Sequence, residues 1–244
     1  DPKKPNATNF NRTNYDVFDI AANESKAIAF ARRIHRQDPT QIIYLEPHGF
    51  RPESFACHLD GDTHCPPVNL MIEAIDDIKG KVEILELAAR QKIPIIQLAD
   101  VGSKVQLNFN SPSDNETGKS VMFGVSKQKL RSLMNSDFTN AAAAFVGLDN
   151  AAFDEIGRFY LGKKNTPFGA VTPQLGSTAM AAAALATEKA LRYLLDKQHS
   201  PRFPYRRLII DKKNNFFKTQ NYRRPLAIVL DYLFQLKSRL PAPS

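Results

Sequence analysis

Cysteine is scarce in this 244-residue chain, which holds only Cys57 and Cys65. Two thiols are too few for a disulfide framework, so the small secreted scaffolds are set aside and a cytoplasmic protein is expected. Long apolar runs are missing too. The nearest, "AMAAAALATEKALRYLL", is interrupted by Glu188, Lys189 and Arg192 and falls short of the roughly 18 apolar residues of a spanning helix, so no membrane contact is expected. The first ten residues, "DPKKPNATNF", lack the apolar core of a signal peptide. There is no internal repeat and no paired CxxC motif. None of the eleven glycines stands in a G-x-G-x-x-G, so the fingerprint of a dinucleotide-binding oxidoreductase is absent, and nothing suggests a hydride donor.

What is plentiful is positive charge. The 33 Lys and Arg against 25 Asp and Glu give +8, which favours anionic partners such as a nucleotide, an acidic protein or RNA. The basic residues cluster late, in "PYRRLIIDKKNN" and "NYRRP". No RNA-binding aromatic signature interleaves with them, so a solvated basic face is favoured over an RNA site.

The first half alternates helix and strand. In "NESKAIAFARRIHRQ", Ala27, Phe30, Ala31 and Ile34 recur at i, i+3, i+4 and i+7, which predicts an amphipathic helix. "QIIYLE" reads as a short strand and "VNLMIEAID" as an apolar strand ending on carboxylates. "IKGKVEILELAARQK" reads as a helix with Val82, Leu85 and Ala89 on one face, "IPIIQLADV" as another apolar strand, and "KVQLNF" as one more. Apolar strands separated by helices predict an α/β fold, with a Rossmann-like, mostly parallel sheet covered on both faces. In such sheets ligands sit beyond the carboxyl ends of the strands, where Asp76 and Asp77 fall.

After residue 110 the pattern changes. "NSPSDNETGKS" and the stretch around "LGKKNTPFG" read as mobile loops, and "SKQKLRSLM" and "NAAFDEIGRFYL" as short helices. "GSTAMAAAALATEKALRYLLDKQ" reads as a long helix whose first half has almost no side-chain bulk. "RRLIID" and "NNFFKT" form a hairpin pattern, and "PLAIVLDYLFQLKSRL" a C-terminal amphipathic helix.

In chain order stand Asp1, "TNFNRT" with Arg12 eleven residues later, "DIAANESKA" with Lys26, "EAIDDIKGK" with Asp76, and the small-residue helix after "VTPQLG". This order resembles the ThiF/MoeB/HesA superfamily, the E1-like enzymes that adenylate a C-terminal carboxylate. The resemblance covers residues 1 to 107 and 167 to 198. It implies an adenylation domain over 1–198, lacking the N-terminal strand and Gly-rich phosphate loop, followed by a hairpin-and-helix extension over 199–244 that packs on the same domain or on a dimer partner. It implies ATP and Mg2+ as cofactors. Asp1 would hold the ribose, Thr8, Asn9, Asn11 and Arg12 would line the nucleotide, Lys26 would contact phosphates, and Asp76 would hold Mg2+ with Asp77 beside it. Arg12, Lys26 and Asp76 are the implied catalytic residues.

The chemistry suits those residue types. Attack on the α-phosphate builds charge on phosphate oxygens, which fixed cations and Mg2+ stabilise, and a carboxylate is a hard ligand suited to Mg2+. This chain departs from the pattern in three ways. It lacks the glycine loop before the ribose Asp, Asp77 and Thr13 replace the usual Asn and Gln, and it has no zinc-binding CxxC pairs. "CHLDGDTHC" offers Cys57, His58, His64 and Cys65, yet the spacing fits no standard zinc pattern, so zinc is disfavoured and a polar loop with two free thiols is expected. His35 is expected in solvent; His48 and His199 have no informative context. No cysteine follows Cys65, so no thioester nucleophile stands at the place expected from the resemblance.

The reading is therefore an ATP-dependent E1-like adenylyltransferase that makes an acyl-adenylate without a thioester of its own. Its acceptor would be a ubiquitin-like or small-molecule carboxylate, and the resemblance implies a homodimer. The alternatives are a non-catalytic partner subunit of a heterodimeric E1-like enzyme and a tRNA-modifying member of the superfamily.

Overall fold

The computed structural model describes residues 2–10, 13–49, 51, 55, 59–63, 65–75, 78–101, 104–110, 121–122, 125–126, 176–195, 206–211 and 216–221. Within these, a 3-10 turn (Ala7–Asn9) precedes the short helix α1 (Val17–Ala21) and the longer α2 (Lys26–Gln37). Strand β1 (Met71–Glu73), helix α3 (Ile78–Arg90) and strand β2 (Ile95–Val101) follow, then β3 (Lys104–Asn110). Two short strands, β4 (Val121–Met122) and β5 (Val125–Ser126), pair with each other. Helix α4 (Gly176–Leu195) and the strands β6 (Arg206–Asp211) and β7 (Phe216–Asn221) complete the set.

Local chemistry explains the boundaries. The Ser25 hydroxyl caps α2 by accepting from Ile28 N at 3.3 Å, and Pro39 follows the extended Asp38 at its end. Helix α3 closes on a Schellman turn. Lys92 takes φ +55°, Ile93 N donates to the Ala88 carbonyl at 2.9 Å, and Lys92 N reaches the Ala89 carbonyl. Pro94 then prevents continuation, and its carbonyl receives Met71 N at 3.0 Å, which starts β1 alongside β2.

The main sheet has the order β1-β2-β3-β6-β7. Its two faces carry different cores. On one, Val82, Leu85, Leu87 and Ala88 of α3 pack with Met71, Ile95 and Ala99. On the other, Ala186 and Ala190 of α4 meet Ile96, Leu107 and Phe109, and Ala182 meets Val105. The buried residues of α4, Thr178, Ala182, Ala186 and Ala190, recur every fourth position, so one small-residue stripe lies against the strands. Tyr193 stacks obliquely on Phe109 with ring centroids 5.6 Å apart, and its burial raises the phenol pKa. The α/β class with helices on both faces of a sheet holds, and the fold is Rossmann-like.

Strand direction differs from the expected mostly parallel arrangement. Among the described residues β1 and β2 pair in parallel, while β2–β3, β3–β6 and β6–β7 are antiparallel. For strands consecutive in the chain the reason is connection length. Parallel neighbours need a crossover of about a dozen residues, which α3 supplies, whereas two residues separate β2 from β3.

The expected helices over residues 23–37, 78–92 and 176–198 appear as α2, α3 and α4, and "RRLIID" with "NNFFKT" is an antiparallel hairpin. "QIIYLE" is not a strand. Ile42 is 72% exposed, Tyr44 and Leu45 are exposed as well, and no described strand pairs with them. β-Propensity without a partner or a face to bury does not make a strand. On α2, Ala31 is buried as the pattern implies, whereas Phe30 is 51% exposed. The expected mobile loops, the helices "NAAFDEIGRFYL" and "PLAIVLDYLFQLKSRL", and most of "SKQKLRSLM" lie outside the described residues; Ser126 ends β5.

Candidate functional site

Of the expected site residues, Asp1, Asn11, Arg12, Asp76 and Asp77 lie outside the described set. Thr8, Asn9 and Lys26 are within it, and so is the chain on either side of the others. Two local assemblies result.

The first surrounds the "NFNRT" turn. Asn9 is 1% exposed, and its side-chain oxygen accepts from Asn6 N at 3.1 Å. Its carbonyl accepts from both Thr13 N, at 2.9 Å, and Thr13 Oγ1, at 2.7 Å. Phe10, Asn11 and Arg12 thus lie in the chain between the two ends of an Asn9–Thr13 bridge, and the Thr13 side chain supplies one of its two bonds. Lys26 is the first residue of α2. Its amide donates to the Lys3 carbonyl at 2.8 Å, and the Tyr15 hydroxyl donates to the Lys26 carbonyl at 3.1 Å. The start of α2 is therefore tied to two separate points of the N-terminal segment. Burial raises the Tyr15 pKa, the Asp19 carboxylate adds to this, and Arg33 partly opposes it, so Tyr15 stays a neutral donor near neutral pH.

Sequence reasoning missed the group that docks α1 onto α2. Asp16 caps α1 by accepting from Phe18 N and Asp19 N, and Asp19 accepts back from Asp16 N. Arg33 of α2 reaches both carboxylates, with Nε 2.8 Å from Asp19 Oδ2. Burial alone would raise the Asp19 pKa, but the Asp16 amide and the Arg33 guanidinium outweigh it and lower the pKa. The capping-box spacing in "DVFD" was the available signal.

The second assembly lies where β1 ends. Glu73 and Lys81, with side chains 0% and 2% exposed, form an ion pair at 2.7 Å. Lys81 Nζ also donates to the Leu98 carbonyl at 3.1 Å, joining α3 to β2. The remaining carboxylate oxygen accepts from Gln97 Nε2 at 3.3 Å, and Gln97 Oε1 accepts from Asn108 Nδ2 on β3. Glu73 Oε1 also receives Ile75 N at 2.6 Å. Ile75 directly precedes Asp76 in the chain. The signal for this cluster was a carboxylate, Glu73, inside an apolar strand.

Cys65 is a free thiol in a loop closed by Asp62 N to Cys65 O at 2.7 Å and Cys65 N to Asp62 Oδ1 at 2.8 Å. Gly61 there has φ +75°, and a Cβ would meet Pro67 N at 2.6 Å, so this turn requires glycine. Cys57, His58 and His64 lie outside the described residues. Among the described residues no group of three acidic, His or Cys side chains could hold a metal ion, and no helix is long and apolar enough to cross a membrane.

No family model matches the chain, and no curated protein matches it. Solved structures share its fold. PaaA superposes with a TM-score of 0.57 at 14% identity, over 91% of this chain and 63% of PaaA. E. coli MccB in its ATP structure gives 0.55 at 13% identity, over 92% of this chain and 55% of MccB. The microcin C7 biosynthetic enzyme MccB in complex with N-formylated MccA gives 0.54 at 12%, over 91% and 56%. The chain thus spans between 55% and 63% of the length of these neighbours. Both proteins are E1-like enzymes of the ThiF/MoeB kind.

Proposed function

We propose that this chain is the adenylation part of an ATP-dependent E1-like adenylyltransferase. Residues 1–198 carry the nucleotide site, and residues 199–244 are an extension that adds the β6–β7 hairpin to the sheet. A carboxylate oxygen of the acceptor attacks the α-phosphorus of ATP, the bond to the β-phosphate oxygen breaks, and an acyl-adenylate and pyrophosphate result. The acceptor is a peptide, ubiquitin-like protein or small molecule that presents a free carboxylate. The protein works as a homodimer in the cytoplasm.

One observation carries this reading. Asp76 follows the C-terminal end of β1 in a parallel β1–α3–β2 unit, the position where open α/β sheets bind ligands. Support comes from the neighbours, since MccB has been crystallised with ATP and with AMPCPP plus MccA. Mg2+ suits the donor set, because Glu73 is committed to Lys81, Gln97 and Ile75, which leaves Asp76 and Asp77 as the hard ligands next to it in the chain. Mg2+ bound there would neutralise charge developing on the phosphates, a task shared with Arg12 and Lys26. Cys57 and Cys65 both precede β1, so no thioester step is assigned to this chain.

The test is carboxylate-dependent ATP–pyrophosphate exchange by the full-length gene product. Asp76→Asn is expected to lower it about tenfold or more, since the metal loses an anionic ligand at constant shape. Arg12→Ala is expected to be as severe, and Cys57→Ala and Cys65→Ala to leave it unchanged. Loss of exchange with either cysteine would refute the thioester-free step. A second reading is a non-catalytic partner subunit of a heterodimeric E1-like enzyme. It prevails if wild type neither binds ATP by calorimetry nor exchanges pyrophosphate.

A further inference from the structure

Glu73 and Lys81 present a physical puzzle. A buried ion pair is a poor source of stability, because taking two charges out of water offsets most of their attraction, and well-packed apolar residues often do as well. What the pair provides that two leucines would not is direction. Glu73 Oε1 holds Ile75 N at 2.6 Å, two residues past the end of β1, at a point where the ladder to β2 has ended at Gln97. The carboxylate is in turn fixed from two sides. Lys81 anchors it from α3 while bound to the Leu98 carbonyl on β2, and Gln97 anchors it from β2 while bound to Asn108 on β3. Three strands and one helix therefore converge on one carboxylate whose output is a single backbone amide.

We propose that Glu73, held by Lys81 and Gln97, is a positioning residue that fixes the backbone at Ile75, the residue directly before the Asp76 to which the adenylation reading assigns the metal. The role rests on the adenylation reading above, and it adds a residue that never touches substrate. Held this way, the backbone at Ile75 is fixed without any ligand, and in a catalytic site displacements of about 1 Å can cost about a hundredfold in rate.

The test uses the full-length gene product with two double variants. Glu73→Leu/Lys81→Leu removes both charges and the acceptor for Ile75 N. Glu73→Gln/Lys81→Met removes both charges but keeps a carbonyl oxygen able to accept from Ile75 N. Neither leaves a lone buried charge, so both are expected to fold with a wild-type circular dichroism spectrum. The Leu pair is expected to lower pyrophosphate exchange about tenfold or more and to raise the Mg2+ concentration needed for half-maximal rate, whereas the Gln/Met pair recovers most of both. Hydrogen exchange at the Ile75 amide is expected to quicken in the Leu pair alone. Should the Leu pair fail to fold, Glu73→Asp keeps the charge for Lys81, withdraws the oxygen by one methylene and is expected to show the same Mg2+ shift. A folded Leu pair with wild-type rate and Mg2+ response overturns the proposal, as does Ile75 protection that is equal in all three proteins. A wild type that neither binds ATP nor exchanges pyrophosphate defeats the adenylation reading and the positioning role together. Ile75 protection would then still show whether Glu73 holds the turn.

Discussion

Lys81→Met isolates the energetic side of the buried pair. Methionine keeps the apolar stem of Lys81 against the core and deletes only the ammonium, which lies 2.7 Å from Glu73 Oε1 and 3.1 Å from the Leu98 carbonyl. Glu73 is left 0% exposed, retaining hydrogen bonds from Ile75 N and Gln97 Nε2 but losing its cation. Removing one partner of a buried pair costs about 3–5 kcal/mol. Two remaining donors place this site at the lower end, about 3 kcal/mol. For a domain of this size each kcal/mol lowers the melting temperature by about 2–4 °C, so a fall of about 6–12 °C is expected. The chain has no Trp, so calorimetry or far-ultraviolet circular dichroism is the suitable probe. The double variant Glu73→Leu/Lys81→Leu should recover most of the loss, because no charge is then stranded. If Lys81→Met melts within about 2 °C of wild type, on the same scale, the carboxylate is not dependent on Lys81 and the reasoning fails.

Two further outcomes test the N-terminal assembly. Thr13→Val removes the Oγ1 bond to the Asn9 carbonyl but keeps the backbone one, so a loss of about 1 kcal/mol in urea unfolding is expected, together with slower pyrophosphate exchange if the turn places Arg12. Asp19→Asn tests the α1–α2 junction by pH. The folded pKa of Asp19 is lowered, so its contribution is full above the unfolded value of about 3.9 and is lost as pH falls through the folded value. Wild type should therefore exceed the variant in urea midpoint at pH 6, with the gap closing below about pH 4; a gap constant from pH 6 to 3 would contradict it.

The parts of the fold legible in the sequence are those with one-sided burial. Val82 and Leu85 on α3, and the four-residue stripe on α4, leave a periodic trace because each faces a sheet. Apolar runs likewise located β2, whose Ile95 and Ala99 pack with α3 and whose Ile96 packs with α4, and β3, whose Val105, Leu107 and Phe109 pack with α4. "QIIYLE" had the composition of a strand without anything to pair with, and composition alone cannot report that. Strand direction was readable in principle from the two residues between Val101 and Lys104, since so short a link admits only an antiparallel neighbour. The Glu73–Lys81 pair was not readable. Eight residues apart across a strand end and a helix, the two meet only because β1 and α3 pack against each other.

The two assemblies around the candidate site differ in what holds them, and this predicts different tolerance to change. Lys26 and the "NFNRT" turn are placed mainly by backbone groups: Lys26 N on the Lys3 carbonyl, Tyr15 on the Lys26 carbonyl, and Thr13 on the Asn9 carbonyl. A substitution there alters one bond of about 1 kcal/mol and leaves the others in place. The junction before Asp76 depends instead on a buried, mutually dependent set, Glu73, Lys81, Gln97 and Asn108, in which removing one member strands the next. Substitutions around Lys26 and the "NFNRT" turn should therefore act in graded steps, whereas those in the set around Glu73 should act together and depart from additivity. Lys81→Met combined with Gln97→Leu should cost more than the sum of the two alone, since after Lys81→Met the Glu73 carboxylate rests on Ile75 N and Gln97 Nε2, and Gln97→Leu removes one of those two donors.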